Sequence, residues 1–110
     1  MSKYKILISW IIIGRNWMSE INSLIQSFNN QNINENLVEL IIIDDFSDDQ
    51  SIQKLQNIPF QNKQIIQLDK QYGRGTARNR GINIASGKFC LFTNSNIIPK
   101  ALKFREYGIE

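Results

Sequence analysis

At 110 residues the chain has room for one domain with a single core, and an apolar content of 42% with only two prolines excludes a disordered or linker-rich protein. The longest apolar run, Ile6 to Ile13, is too short to cross a bilayer, and no signal peptide with a small-residue cleavage site precedes it, so a cytoplasmic chain is expected. Histidine is absent, which removes the commonest general base and the commonest transition-metal ligand, and the net charge of +3 conceals two opposed blocks.

The predicted elements alternate between strand and helix. Ile6 to Ile13, branched and nearly continuous, reads as a buried strand. Trp17 to Phe28 places Ile21, Leu24, Ile25 and Phe28 at helical spacing. Leu37 to Ile43 is a second buried strand, stopped by Asp44-Asp45. Ser47 or Asp48 then caps a short helix carrying Ile52 and Leu55, and Pro59 closes it. Ile65 to Leu68 is a third strand. Gly73 to Ala85 is a turn running into a helix, with Ala77 and Ala85 small enough for close packing. Lys88 to Thr93 is a fourth strand, in which Cys90 is expected as a buried small hydrophobe. Pro99 opens a last helix reaching Tyr107. Such alternation implies parallel strands, right-handed crossovers and a three-layer α/β/α sandwich.

Ligands of these sheets bind beyond the carboxyl ends of the strands, where the strand order reverses. The unusual residues of the chain fall there: Gly14-Arg15-Asn16, Asp44-Asp45, Tyr72 to Arg78, and Asn94 to Asn96. Between Gln31 and Gln50 stand six acids and no base; between Lys63 and Lys88 stand six bases and one acid, Asp69. Two solvated faces would explain this, and so would a basic segment that meets phosphate. Aromatic residues do not interleave with the bases, which argues against nucleic acid. Two phosphate motifs are near misses. Five residues separate Gly81 from Gly87 where a P-loop needs four, and Arg78 stands where a dinucleotide fingerprint starting at Gly73 needs its third glycine.

Taken together, Ile-Ile-Ile-Gly-Arg-Asn (11 to 16), Asp-Asp-Phe-Ser-Asp-Asp (44 to 49), Gly-Arg-Gly-Thr-Ala-Arg-Asn-Arg-Gly (73 to 81) and Ser-Gly-Lys-Phe-Cys-Leu-Phe-Thr-Asn-Ser-Asn (86 to 96) resemble the family 2 glycosyltransferases of the GT-A fold. That family carries an Asn-containing turn after the first strand, Asp-Asp-x-Ser-x-Asp after the second, a Gly-x-x-x-Ala-Arg-Asn-x-Gly segment, and a fourth strand ending in a metal-binding Asp-x-Asp. The resemblance spans essentially the whole chain. It implies a Rossmann-like, mostly parallel sheet in order 3-2-1-4, a single nucleotide-sugar-binding subdomain over residues 1–110, and inverting transfer from a UDP-sugar to a glycan or lipid acceptor.

The resemblance also assigns roles. Asp45 would accept the uracil N3–H, Ile13, Gly14, Arg15 and Asn16 would frame the base, and Asp44 would stand beside it. Gly73, Gly75 and Arg78 would meet the diphosphate, a planar guanidinium suiting a pair of phosphate oxygens. Capping the next helix is the plainer role for Asp44, Asp45 and Asp48, and a surface ion pair the plainer one for Arg78; Arg74 and Arg80 are read as solvated. Asn94, Ser95 and Asn96 stand where the family places the carboxylates that hold Mn2+ or Mg2+, so a metal at Asn96 would lack its usual charge. This leaves a metal-independent site or a degenerate one. The acceptor pocket and catalytic base of the family follow this region, so a fragment, a truncated product or half of a split enzyme is expected. No residue here is read as catalytic. The alternative is a non-catalytic nucleotide-binding or protein-interaction module, and an uncovered fourth strand would favour self-association.

Overall fold

The structure is a computed structural model that describes residues 5–29 and 34–94. The expected helix from Pro99, together with Ser95 and Asn96, lies outside the described residues. Four strands, β1 (Ile8–Gly14), β2 (Val38–Asp44), β3 (Lys63–Gln67) and β4 (Phe89–Asn94), form a parallel sheet in the order β3-β2-β1-β4. This is the expected topology.

β1 and β2 occupy the centre because both faces of each are apolar. All seven residues of β2 are buried, and in β1 only Ile13 and Gly14 are partly open. Branched side chains suit this pleated, doubly covered position. β3 is only partly buried, as suits a terminal strand.

The period of two divides the side chains between two cores. Ile8, Trp10, Ile12, Val38, Leu40 and Ile42 point to one face, where they meet α1 (Ile21–Asn29) and α2 (Ser51–Leu55) through Leu24, Phe28 and Leu55. Trp10 and Phe28 stack with centroids 5.0 Å apart, and Phe60 closes edge-on against Phe28. Ile11, Ile41 and Ile43 point to the other face, covered by α3 (Arg74–Ile84) through Ala77. The small Ala77 and the buried Gly81 let α3 lie close to β1 and β2. Among the described residues no helix is long and apolar enough to cross a membrane.

Three local expectations need correction. Trp17 to Phe28 is not one helix: Trp17–Ser19 is a 3₁₀ turn and α1 begins at Ile21. The reason is Trp17, whose indole is turned into the core and committed to Asp44. Neither Ser47 nor Asp48 caps α2. Gln50 occupies that position without a side-chain bond, while Asp49 accepts the Ser51 N–H at 2.9 Å. Cys90 is exposed rather than buried. It stands on a terminal strand beside the exposed Phe89, in register with polar Ser9 instead of a core isoleucine. Partial burial, and then the nearby Glu39 carboxylate, push its thiol above the ordinary value.

Candidate functional site

Register alone brings the strand ends level. Gly14 pairs with Asp44, Asp44 with Gln67, and Ile13 with Asn94. The chain winds from β1 out to β3 and then returns to the far side of β1, so the reversal lies between β1 and β4. The crevice of such a sheet opens outside those two carboxyl ends.

Asp44 is fully buried and is a structural group. Its Oδ1 accepts the Trp17 Nε1–H at 2.6 Å and the Ser47 hydroxyl, and its Oδ2 accepts the Ser47 N–H at 2.9 Å. Ser47 Oγ in turn accepts the Asn16 N–H at 2.8 Å, and Asn16 Oδ1 accepts the Asp48 N–H at 2.9 Å. Ser51 Oγ accepts the Trp17 N–H at 2.7 Å. The loops after β1 and β2 are thereby joined into one unit. Gly14 belongs to it for a steric reason, since a Cβ there would stand 2.9 Å from the Trp17 ring.

Arg15 tightens the same unit. Its Nε donates to the Phe46 carbonyl at 3.0 Å and its Nη2 pairs with Asp48 Oδ2 at 3.2 Å. Two residues of the unit other than glycine take the left-handed conformation, Asn16 at φ 55° and Phe46 at φ 65°. Asparagine tolerates this region, whereas for a bulky residue it is strained. The sequence reading passed over Phe46. Its signal was an aromatic inside a tight Asp-Asp-x-Ser turn, at a position where small or amide residues are at ease.

Asp45 reaches the opposite way. It is 6% exposed, and its two oxygens accept the N–H groups of Tyr72 at 2.9 Å and Gly73 at 3.0 Å. The carboxylate at the end of β2 therefore holds the start of α3 in place. Gly73, at φ 96°, makes the turn that a side chain would resist. α3 then starts with no side-chain cap and no acid in its first turn, leaving its positive end for an anion. Gly75 in that turn is exposed, with open space around its Cα.

Arg78 and Arg80 take opposite flanks of α3. The Arg78 guanidinium lies over the Phe92 ring of β4, 4.9 Å from its centroid, on the side of the strand that ends at Asn94. Arg80 lines a polar cleft of about 480 Å³ together with Gln67, Asp69, Tyr72, Asn79 and Asn83. There the Tyr72 hydroxyl donates to Asp69 at 2.7 Å, and this bond, more than burial, raises the phenol above its ordinary pKa.

The expected residues are thus brought together as far as they are described: Ile13 to Asn16, Asp44, Asp45, Gly73, Gly75 and Arg78 surround one end of the sheet, and the backbone of Asn94 reaches it. Among the described residues the carboxylates at this end are already engaged, Asp44 by Trp17 and Ser47 and Asp45 by Tyr72 and Gly73, and the sequence supplies neutral amides at Asn94 and Asn96 where a hard cation favours carboxylates. Among the described residues no group of three or more His, Cys, Asp or Glu is placed to hold a metal.

The family model described as "Glycosyl transferase family 2" matches residues 9–100. The curated proteins compared include no match. Among solved structures, S. aureus TarS 1-349 in complex with UDP-GlcNAc is 29% identical at a TM-score of 0.76, covering 83% of this chain and 27% of that one. The complex of the same protein with UDP gives 29% and 0.76, with 83% and 28% covered. The mannosyltransferase PcManGT from Pyrobaculum calidifontis, in complex with GDP-Man and Mn2+, shares the fold at 16% identity and a TM-score of 0.74, covering 86% of this chain and 28% of that one. The chain therefore spans little more than a quarter of the length of these solved chains, and 17% of the longer TarS chain.

Proposed function

The chain belongs to glycosyl transferase family 2, and from that premise we propose that it binds a nucleotide-diphospho-sugar, most simply a UDP-sugar, as the donor part of an inverting glycosyltransferase. The observation that carries the reading is the bridge from Asp45 to the N–H groups of Tyr72 and Gly73. It sets a carboxylate and an uncapped helix start side by side at the carboxyl end of the sheet. The 29% identity to a protein solved with UDP-GlcNAc supports the same donor class.

In this reading a carboxylate with about four lone-pair sites spends two on the loop and keeps capacity for the uracil N3–H. Gly14, Arg15 and Asn16 frame the base. The N–H groups of the first turn of α3 and the guanidinium of Arg78 take the diphosphate, and they stabilise it as it leaves. The acceptor hydroxyl of a glycan or lipid attacks the anomeric carbon in line, the bond to the diphosphate breaks, and configuration inverts. None of the described residues is assigned as the base for that hydroxyl.

Asn94 and Asn96 favour a second reading, in which the crevice holds the nucleotide without turnover. Isothermal titration of UDP, with and without Mn2+, tests the shared donor site. Saturable binding that does not require Mn2+ is expected, and an absence of heat from a folded chain would refute it. Release of free sugar or sugar transfer from a UDP-sugar would then separate the enzyme from the passive binder.

A further inference from the structure

Phe46 is the residue at the carboxyl end of the sheet that packing does not explain. It follows Asp45 directly, holds a left-handed backbone at φ 65°, and leaves 43% of its surface in water. A phenylalanine gains nothing from solvent, and the conformation disfavours any side chain with a Cβ. The turn is nevertheless enforced from both sides: Arg15 Nε holds the Phe46 carbonyl at 3.0 Å, and Asp44 holds Ser47 through its N–H and its hydroxyl. Strain that its surroundings maintain, at a strand end beside a ligand crevice, points to a use for the side chain.

We propose that the Phe46 ring is a stacking platform for the planar nucleobase of the donor, a role that rests on the donor-site reading above. Asp45 would read the polar edge of the base, and the aromatic next to it would take a face. Such stacking tolerates any base, because every base has a π-face, so Phe46 would supply affinity while Asp45 supplies selection. Among the described residues the other exposed aromatic near the crevice is Tyr72, whose hydroxyl is tied to Asp69 and whose ring has Lys70 5.1 Å from its centroid.

The test compares the parent chain with Phe46→Asn and Phe46→Tyr in titrations with UDP and with inorganic pyrophosphate. Asparagine accepts the left-handed backbone without a ring, so Phe46→Asn should melt at the same temperature as the parent or higher. Its affinity for UDP should nevertheless fall roughly tenfold. Phe46→Tyr should keep UDP affinity, and pyrophosphate, which has no base, should bind all three alike. UDP bound equally well by Phe46→Asn would overturn the stacking role while leaving the donor site standing. Equal losses of UDP and pyrophosphate would also overturn it, by showing damage to the loop. A folded parent that ignores UDP would remove the donor site and this proposal together.

Discussion

Both ends of the sheet are closed by buried carboxylates that gather loop donors, yet only one end carries strain. At the amino end Glu39, 7% exposed, accepts from the Ser9 hydroxyl and from the N–H and hydroxyl of Ser86, while Ser9 Oγ accepts the Gly87 N–H at 2.8 Å. At the carboxyl end Asp44 and Asp45 do the same for Trp17, Ser47, Tyr72 and Gly73. Among the described residues no buried side-chain polar atom lacks a partner at either end. The difference lies in the surroundings. The carboxyl end holds both described residues other than glycine with positive φ, an exposed phenylalanine, and an uncapped helix start that carries Arg78. Hydrogen bonding at the amino end serves the fold. At the carboxyl end it also maintains conformations the chain would not otherwise choose, as binding sites require.

The comparison breaks most visibly at Asp44. Asp44→Ala would leave the Trp17 indole N–H and both Ser47 donors without their acceptor, costing about 3 kcal/mol or more in urea unfolding and loosening the loops after β1 and β2 together. Glu39→Ala should cost about 2 kcal/mol, because Ser9 is fully buried while water can reach Ser86, and UDP affinity should not change. Loss of affinity in that variant would dissolve the distinction between the ends. Arg78→Ala should do the reverse, changing stability by less than about 1 kcal/mol, since the side chain is exposed and rests on one ring. Its affinity for UDP should nonetheless drop roughly tenfold.

The smallest effect is a pH dependence at Asp49. Slight desolvation, which raises its pKa, is outweighed by bonds from the Ser51 hydroxyl and N–H and from other backbone groups, so the folded value lies below the ordinary 3.8. A depressed folded value means that its contribution is complete above the ordinary pKa and disappears as pH falls through the folded one. The stability difference between the parent and Asp49→Asn should therefore be flat near neutral pH and close in acid below about pH 4. A difference that grew in acid would reverse the sign of the account.

The sheet was legible because its signals are local. Runs such as Leu-Ile-Ile-Ile and Ile-Ile-Ile-Gly have one good packing solution, and the resemblance of the strand-end motifs supplied their order. The polar architecture was not legible to the same degree. Asp44 and Asp45 are indistinguishable as letters, and only the alternation of the strand decides that one faces Trp17 and the other faces Gly73. Trp17 looked like the start of a helix because periodicity does not report where an indole N–H finds its acceptor. Ser47 and Asp48 looked like caps, but Ser47 is taken up by Asp44 and by Asn16, and Asp48 pairs with Arg15, more than 30 residues away. Cys90 was misjudged because an apolar run does not say which of its residues stands on an unfilled part of the sheet. Phe46 needed a dihedral angle that no sequence pattern prints.

The most direct test of a donor site at the carboxyl end is to map UDP onto the ¹⁵N-labelled chain by amide shifts. The account predicts saturable shifts at Gly14 to Asn16, at Asp45 and Phe46, and from Gly73 to Arg78, with Ser9, Glu39 and Ser86 silent. Shifts confined to the amino end, or to the Arg80 flank of α3, would contradict it.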